Sequence, residues 1–534
     1  MTDTHQTYTL SKKESTLRQK VGQLFMPAVF INDTEEEVQK MERLIKEHHV
    51  GSICFFHSRA SAATNFEGKK KVVHNAKSHD RLKELITRYQ KASEIPLLVV
   101  IDAEWGLAMR IENTPQFPYA ITLGALNGDE NLILQVGQHI GWDCRAAGIQ
   151  WNLAPVVDIN NNPENPVIGY RSFGENKEKV LTKSEAFIRG LESTGTLNSI
   201  KHFPGHGDTA TDSHLGLPVI DKSLSELKEN ELFPFQELIN KGVDSVMVGH
   251  LSLPQLDDQN PSTTSSKIIT GLLRKQMGFE GVIISDALNM HAVSKKYPKK
   301  GKLEQAAFEA GMDVLCFSEN VAEGIQLILD TATEERIDES FDRVWRLKKK
   351  AFAMDKEMAK PSDGSASILN RNIALKSITE LYGNPSSTQK FKAEGFLNIS
   401  CNNGKENIFS QKLEDEFGVE PLDIALQTDI INEKIKATKN VVLSLFPPAV
   451  KPKDQFGFDT NVLETVKKWI NDNNTLIYLF GNPYVLDLLG LKPTSNVVVV
   501  YQDFPEFQEV AAEHFKGAIS AKGTLPIQLK TFQA

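Results

Sequence analysis

The chain has 534 residues, of which 40% are hydrophobic and 24% are charged, and its formal net charge is −9. This composition is typical of globular proteins and excludes the collagen-like, coiled-coil and disordered classes. The acidic balance lacks the clustered positive charge that nucleic-acid binding requires, so nucleic acid is not an expected partner. The four cysteines are far apart and form no CxxC pair, which argues against a disulfide framework or a thiolate zinc site.

The N-terminal segment, 1–20, has no apolar stretch between a basic start and a cleavage site, so it does not form a secretory signal. Elsewhere, no uninterrupted apolar run approaches the ~18 residues that a membrane-spanning helix needs. We therefore expect a soluble, cytoplasmic protein without a membrane partner, or a periplasmic one if a signal has been removed.

The first two thirds of the chain alternate short apolar runs with segments of helical periodicity. The runs are continuously apolar, which is typical of parallel strands that are covered on both faces. Eight such runs begin at Val21, Val50, Pro96, Ile149, Ser199, Asp244, Gly281 and Asp313. Helical periodicity covers 34–49, 80–93, 131–148, 223–242, 320–331 and 334–354. This series predicts a closed (β/α)₈ TIM-type barrel over residues 1–355, since open doubly wound sheets usually have fewer strands.

A small, polar segment with one proline and one glycine follows this series and predicts a linker at 356–368. Residues 369–534 then repeat the βα pattern. Predicted strands begin at Phe396, Val441, Thr475 and Val497, and predicted helices cover 462–472 and 506–515. Four or five parallel strands in this length predict a smaller three-layer α/β/α domain. No acid or base ends any of these strands, so we expect this domain to be non-catalytic.

Ionisable residues end five of the eight predicted barrel strands. Catalytic groups of such barrels cluster where the strands end and the βα loops begin. The residues are Asp102 and Glu104 after the third strand, Asp158 after the fourth, Lys201 and His202 after the fifth, His250 after the sixth and Asp286 after the seventh. Together they predict an active site at one mouth of the barrel. The lysine-rich loop at 57–79 follows the second strand and is either a substrate contact at this mouth or a solvated surface.

The densest group of polar residues is the segment KHFPGHGDTATDSH at 201–214. Three interpretations are open: a zinc or iron site, a structural loop in which glycines allow turns, and a general acid/base loop. Glycines flank His206, so the segment lacks the helix that fixes the common His-x-x-x-His zinc pairs. Asp212 and His214 stand two residues apart, which lets the carboxylate orient one imidazole nitrogen while the other transfers a proton.

Asp286 ends an apolar strand and immediately precedes the sequence ALNM. Its carboxylate suits a nucleophile, a metal ligand or the N-cap of a following helix. Three basic residues, Arg110, Arg171 and Lys201, are expected near the same mouth. They suit hydrogen bonds to sugar hydroxyls, to a carboxylate or to a phosphate, and they equally suit structural ion pairs.

These motifs closely resemble glycoside hydrolase family 3, and specifically its β-N-acetylglucosaminidase branch. The segment 201–214 and the strand ending in Asp286, about 70 residues later, resemble the branch's histidine loop and nucleophile strand. The sequence DAEWG at 102–106, with Arg110 eight residues after the aspartate, resembles its Asp-x-Glu-x-Gly loop. The sequence YRSF at 170–173 resembles its Arg-Ser-Phe loop. The C-terminal part of the chain looks like the α/β/α domain of two-domain members.

The resemblance implies a retaining, exo-acting β-N-acetylglucosaminidase that removes terminal β-linked N-acetylglucosamine from a small glycan, such as a muropeptide or a chitin fragment. It implies Asp286 as the nucleophile, His214 as the acid/base and Asp212 as the partner of this histidine. It implies no cofactor and no metal ion. The residues that it implies for holding the sugar are Asp102, Arg110, Arg171, Lys201 and His202.

One departure is the sequence WGL at 105–107, where the family has two glycines and a basic residue, and it changes the wall of the pocket. Three other functions stay open. Because a neutral imidazole repels an anion less than a carboxylate does, phosphate could attack the glycosyl-enzyme and make the protein a phosphorylase. A β-glucosidase-like member would instead take a glutamate acid/base from the C-terminal domain. A non-catalytic sugar-binding protein on the same fold is the third, and the joint presence of Asp212, His214 and Asp286 disfavours it.

Overall fold

The computed structural model is a mixed α/β structure and describes residues 15–58, 74–209, 216–353, 365–381, 391–438, 440–492 and 495–530. The chain divides into two compact units. Unit 1 consists of Met1–Gln116, Gly137–Asp158 and Phe187–Pro361, and unit 2 consists of Phe117–Val136, Ile159–Ala186 and Ser362–Ala534. Within the described ranges, no helix is long and apolar enough to cross a membrane.

Short, almost completely buried strands form the sheets of unit 1. They are β1 (Phe25–Met26), β2 (Ala28–Phe30), β3 (Ser52–Phe56), β4 (Leu98–Ile101), β5 (Trp151–Asn152), β6 (Ile200–Phe203), β7 (Ser245–Val248), β8 (Val282–Ser285) and β9 (Leu315–Cys316). Pro27 separates β1 from β2, because proline has no N–H to donate to a sheet ladder.

All strand pairs of unit 1 are parallel. One sheet has the order β2-β3-β4-β5, a second has the order β6-β7-β8, and β1 pairs with β9. Isolated parallel bridges join Val156 to Lys201 and Ile284 to Val314. Consecutive strands are therefore neighbours, and their carboxyl ends meet at one edge. These parallel sheets fit a barrel-like unit.

Helices alternate with these strands along the chain. Those up to residue 352 are α1 (Leu17–Gly22), α2 (Glu35–His48), α3 (Ser78–Ala92), α4 (Ala120–Gly124), α5 (Glu130–Ala147), α6 (Lys177–Ser193), α7 (Leu224–Glu229), α8 (Leu232–Asn240), a π-helix (Lys267–Gln276), α9 (His291–Ser294), α10 (Lys302–Ala310), α11 (Val321–Thr331) and α12 (Glu334–Phe352). Capping boxes start three of these helices, because Thr16 pairs with Gln19, Thr34 with Glu37 and Ser223 with Glu226.

Unit 2 contains a sheet of six strands among its described residues. They are β10 (Thr379–Glu380), β11 (Leu397–Cys401), β12 (Pro421–Asp423), β13 (Asn440–Leu445), β14 (Asn474–Leu479) and β15 (Asn496–Val499). The order is β10-β15-β14-β13-β11-β12, and every pair is parallel except β10 with β15. Its later helices are α13 (Ser365–Ser377), α14 (Ile408–Phe417), α15 (Ile424–Ala437), α16 (Thr460–Asp472) and α17 (Pro505–Lys516).

Each of the predicted apolar runs contains a strand in the structure. Two strands of unit 2, β10 and β12, have no counterpart in the prediction, and β10 is antiparallel, so the expected all-parallel order is wrong at that edge. Both are too short to leave an apolar run in the sequence. The predicted helix at 223–242 is two helices, because the backbone at Asn230 leaves the helical region. Of the predicted linker, 356–364 lies outside the described residues, and α13 begins within its last part.

Candidate active site

Asp102 directly follows β4, and its backbone is fixed by a side chain from the neighbouring strand. The amide of Asn152 in β5 donates to the carbonyl oxygen of Ala103 at 3.1 Å, and its side-chain oxygen accepts from the Ala103 N–H at 3.0 Å. Asn152 is completely buried, so this pair of hydrogen bonds is shielded from water. The clamp holds Asp102 at the carboxyl edge of the sheet.

A buried cluster of charges surrounds Asp102. Lys201 Nζ lies 2.8 Å from Asp102 Oδ1 and 2.8 Å from Glu104 Oε1, and Arg110 Nη2 donates to Asp102 Oδ2 at 3.0 Å. Burial raises the pKa of Asp102, but the positive charges of Lys201 and Arg110 outweigh burial and lower the pKa below its usual range. The Asp102 carboxylate therefore stays ionised, and the cluster offers donors and acceptors that suit hydroxyl groups.

Asp158 organises the loop that follows β6. Its carboxylate lies 2.7 Å from His202 Nδ1 and also accepts the backbone N–H groups of His202 and His206, at 3.1 and 2.7 Å. Burial raises the pKa of Asp158, but the neighbouring His202 and these hydrogen bonds have the larger effect, so the pKa lies below its usual value. Because a carboxylate at Nδ1 fixes the orientation of an imidazole, Asp158 leaves Nε2 of His202 for other partners.

Asp286 stands at the end of β8 and is only partly exposed. Its backbone N–H donates to the carbonyl oxygen of Val248 in β7, and its Oδ1 accepts the N–H of Ala287 at 2.7 Å. Burial raises the pKa of Asp286, but His250, His202, the hydrogen bond and Lys201 together lower it to about 2. His250 is itself held in place, because its Nε2 lies 2.9 Å from the carbonyl oxygen of Ala287. Asp286 is thus a charged carboxylate at neutral pH, beside several cationic or polar groups.

The loop that carries Arg110 is fastened to the end of β3. The guanidinium of Arg110 lies over the ring of Phe56, 5.0 Å from its centroid. Two residues later, Glu112 Oε1 lies 2.5 Å from His57 Nε2 and accepts the N–H of Asn75 at 2.9 Å. These contacts come from both sides of the long loop after β3, so they fix the direction of Arg110 towards Asp102.

Arg171 belongs to unit 2, where it lies in a short 3₁₀ turn (Gly169–Arg171). Its guanidinium Nη1 donates to the carbonyl oxygen of Val167 at 3.3 Å. Asn165 supports the same turn, because its side-chain oxygen accepts the N–H groups of Val167 and Ile168 at 2.9 and 2.8 Å. Arg171 therefore has a defined backbone and a local side-chain contact.

The structure brings together five of the predicted site residues in unit 1: Asp102, Arg110, Lys201, His202 and Asp286. Asp212 and His214 lie outside the described residues, as does most of the lysine-rich loop, 59–73. In the part of the chain that is described, no group of three or more His, Cys, Asp or Glu side chains is placed to hold a metal ion.

Three residues of the site had no predicted role in the sequence. Glu104 shares Lys201 with Asp102, Asp158 orients His202, and His250 contributes to the low pKa of Asp286. In the sequence, all three are signalled by their position at a strand end, and Glu104 also by the DAEWG motif.

Residues 16–347, more than half of the chain, match the glycosyl hydrolase family 3 N-terminal domain. Among curated proteins, β-hexosaminidase A of Pseudoalteromonas piscicida is 37% identical over 42% of this chain and 40% of its own length. The chain thus spans less than half of that relative. A β-hexosaminidase of Tolumonas auensis is 37% identical over 47% of this chain and 75% of its own length.

Among solved structures, a glycoside hydrolase family 3 β-N-acetylglucosaminidase from Paenibacillus sp. str. FPU-7 is similar over nearly the whole chain. It is 29% identical, its TM-score is 0.77, and the match covers 97% of this chain and 99% of that one. The resemblance of the sequence motifs is therefore confirmed at the level of the family. The chain belongs to glycosyl hydrolase family 3, and it lies in the β-hexosaminidase branch of that family of glycoside hydrolases.

Proposed function

We propose that the chain is a retaining, exo-acting β-N-acetylglucosaminidase that hydrolyses terminal β-linked N-acetylglucosamine residues of small glycans. The observation that carries the proposal is the carboxylate of Asp286, which stands at a strand end with a pKa lowered to about 2 although burial alone would raise it. Retaining hydrolysis needs an anion at the anomeric carbon, and Asp286 supplies one that is ionised at neutral pH. The identity of the sugar is inferred from the relatives, which are named β-hexosaminidases and a β-N-acetylglucosaminidase.

In the proposed reaction, Asp286 attacks the anomeric carbon and forms a glycosyl-aspartate while His214 protonates the departing glycosidic oxygen. His214 then removes a proton from water, which attacks the same carbon, releases the sugar and restores the Asp286 carboxylate. An imidazole has an unperturbed pKa near ~6.5, so it exchanges protons at neutral pH without the burial that a glutamic acid needs. Asp212 orients His214 and stabilises its charged form.

Asp102, Arg110, Lys201, His202 and Arg171 are proposed to hold the sugar. The geometry of unit 1 supports the first four, because Lys201 and Arg110 share the Asp102 carboxylate and Asp158 sets the ring of His202. Carboxylate and ammonium groups that are already paired bind hydroxyls without reorganising, which lowers the cost of binding. The reaction needs no cofactor and no metal ion.

We also propose that unit 1 carries a (β/α)₈ barrel and that residues 369–534 form an α/β/α domain. The parallel bridges between Val156 and Lys201 and between Ile284 and Val314, with the pairing of β1 and β9, support closure of the barrel strands into a ring. In such a ring the ends of β4, β6 and β8 face one mouth, which is where this reaction requires them.

The test is a substrate panel with aryl β-N-acetylglucosaminide and aryl β-glucoside, each assayed with and without inorganic phosphate. We expect free N-acetylglucosamine from the first substrate at a rate that phosphate does not change. Sugar 1-phosphate as the main product would establish a phosphorylase instead. Activity on the glucoside alone would favour the β-glucosidase-like alternative, and no activity on either substrate would favour a sugar-binding protein.

A further inference from the structure

The two ends of the loop that carries Arg171 are both hydrogen-bonded to one tyrosine of the C-terminal part of unit 2. Asn160, at the start of the loop, donates its side-chain N–H to the hydroxyl oxygen of Tyr484 at 2.6 Å. The same hydroxyl donates to Glu175 Oε1, at the end of the loop, at 3.0 Å. Tyr484 is 4% exposed, so both hydrogen bonds form away from bulk water. One side chain therefore closes the base of the loop.

The end of the loop also contacts backbone groups of the C-terminal segment. The N–H of Glu175 donates to the carbonyl oxygen of Pro526 at 3.1 Å, and Glu175 Oε2 accepts the N–H of Gln528 at 2.9 Å. A side chain at Gly174 would collide with the backbone of Pro526, and the positive φ of Gly174 also favours glycine. Residues 526–528 are thus packed directly against the loop.

Short links lead from this base to Arg171. The hydroxyl of Ser172 bonds both the carbonyl oxygen and the N–H of Gly174, at 3.0 and 3.1 Å. The N–H of Asn160 donates to the carbonyl oxygen of Gly174 at 3.0 Å, which ties the two ends of the loop to each other. Movement at Glu175 or Asn160 therefore moves the backbone that carries the guanidinium of Arg171.

Tyr484 is itself rigidly placed. It follows β14 in a 3₁₀ turn (Pro483–Leu488), and the side-chain oxygen of Asn482 accepts its N–H at 3.1 Å. Pro483 fixes the start of this turn, because its φ is restricted by the ring. The sequence NPY thus builds a stiff support at the end of a central strand.

We infer that Tyr484 is a positioning residue for substrate binding: by closing the base of the loop between Asn160 and Glu175, it fixes the direction of Arg171. The inference rests on the proposed function, in which Arg171 holds the sugar. It gives the C-terminal part of the chain a role in affinity, although the proposed reaction takes its acid and base from the barrel.

The test is the Tyr484→Phe variant of the full chain, assayed on an aryl β-N-acetylglucosaminide. The variant loses the two hydrogen bonds that close the base of the loop, so we expect a three- to tenfold higher KM. We expect kcat to stay within about twofold, because Arg171 contributes binding that the ground state and the transition state share.

Tyr478→Phe is the matched control. Tyr478 is completely buried in β14, and its hydroxyl lies 2.9 Å from His514 Nδ1, so the control also removes a buried hydroxyl hydrogen bond. This bond does not touch the Arg171 loop. We expect a loss of thermal stability similar to that of Tyr484→Phe, with KM unchanged. A lower Tm without a higher KM in Tyr484→Phe would overturn the inference.

Arg171→Met separates this inference from the proposed function. If Arg171→Met leaves KM unchanged, the assigned role of Arg171 in the proposed function is wrong. If it raises KM, adding Tyr484→Phe to it must cause no further increase beyond about twofold, because both changes then act on the same contact. A full additional increase would show that Tyr484 acts by another route and would overturn the inference. Glu175→Gln repeats the test if Tyr484→Phe does not fold, and it must raise KM in the same range.

Discussion

At the scale of single residues, Asp286 is the strongest prediction. Asp286→Asn keeps the shape of the side chain but removes the anion that the proposed reaction requires for its covalent intermediate. We expect kcat to fall by about 10⁴-fold or more, as it does when a nucleophile is removed from other enzymes. Asp286→Gly with added azide should form a glycosyl azide of inverted configuration, which product analysis by NMR detects.

Asp257→Asn is the control for this change. Asp257 is also a buried carboxylate of unit 1, and it accepts hydrogen bonds from the side chains of Ser265 and Asn260. We expect its replacement to cost stability and to leave kcat within a fewfold range. A substantial residual activity in Asp286→Asn would contradict the assignment of the nucleophile.

Lys201 is expected to matter for both binding and stability. Its ammonium pairs with Asp102 and Glu104, and its side chain is 2% exposed, so Lys201→Met leaves two nearly buried carboxylates without their shared cation. Breaking a buried ion pair lowers the free energy of unfolding by ~3–5 kcal/mol. Because the same pair holds Asp102 in the site, we also expect kcat/KM to fall by about 10²-fold or more.

Lys348→Met is the matched control for Lys201. Lys348 is also a buried lysine of unit 1, but it donates to Gln23 and to the carbonyl oxygen of Pro96 and has no carboxylate of the site beside it. We expect a change in Tm and an unchanged kcat/KM per folded molecule. Equal losses of activity in both variants would contradict a specific role for Lys201, because removing any buried lysine of this unit would then have the same effect.

His206 predicts how stability depends on pH. Burial and the neighbouring His202 lower the pKa of His206 to about 4. The pKa of His206 in the folded chain lies below its unfolded value of ~6.5, so the folded state binds this proton less readily than the unfolded state does. The stability of the fold is therefore fully present above pH ~6.5 and falls as the pH is lowered towards 4. Between pH 7.5 and pH 5 the wild type should lose about 2 kcal/mol more stability than His206→Asn.

Thermal unfolding of both proteins at these pH values measures this difference. The wild type should lose a few more degrees of Tm than His206→Asn, which retains a polar atom for Thr209. Parallel curves for the two proteins would mean that His206 does not titrate differently in the folded chain.

At the scale of elements, the proposed function assigns the acid/base step to the loop after β6. His214→Ala should reduce the rate on substrates with poor leaving groups by ~10²–10⁴-fold, because these need protonation of the departing oxygen. An aryl glycoside with a strongly acidic phenol needs little protonation, so its first step should be affected far less. Comparing kcat/KM over a series of aryl leaving groups measures this; equal losses throughout would indicate a binding or structural role for the loop.

The elements themselves were largely predictable. Continuous apolar runs mark β3, β4, β7 and β8, because buried parallel strands need no polar face. The π-helix at Lys267–Gln276 was not predicted, since its hydrogen-bond pattern depends on packing rather than on periodicity. The edge strand β10 was missed for a similar reason: two residues pair with β15 only when the rest of the sheet is present.

At the scale of the whole molecule, the division of the chain into two units bears on whether residues 1–355 fold without the rest of the chain. The sequence alone predicts a barrel over 1–355 that carries the whole reaction. In the structure, Phe117–Val136 and Ile159–Ala186 belong to unit 2 together with the C-terminal residues. The hydroxyl of Thr122 accepts from Gln502 at 2.7 Å in a buried contact.

We therefore expect a chain that ends near residue 360 to fold poorly. The backbone hydrogen bond from Thr524 to Ala125 and the contacts of Glu175 would be lost, together with the apolar cover of these segments. The Tm should fall by more than 10 °C, on the scale of ~2–4 °C per kcal/mol. Co-expression of 362–534 as a separate chain should restore part of the activity. A soluble truncated chain with wild-type Tm and kcat/KM within tenfold would contradict this.

The sequence by itself determined the positions of all described strands except β10 and β12, the family and the ionisable residues at the strand ends. It could do so because burial imposes continuous apolar runs, and because chemistry restricts which residues end them. Asp102, Lys201 and Asp286 were found in this way. Only the tertiary structure decided which of these groups share a partner, that Asp158 orients His202, and that Tyr484 closes the Arg171 loop. These contacts join residues that are 44 to 324 positions apart, and no local pattern of the chain records a contact between such distant residues.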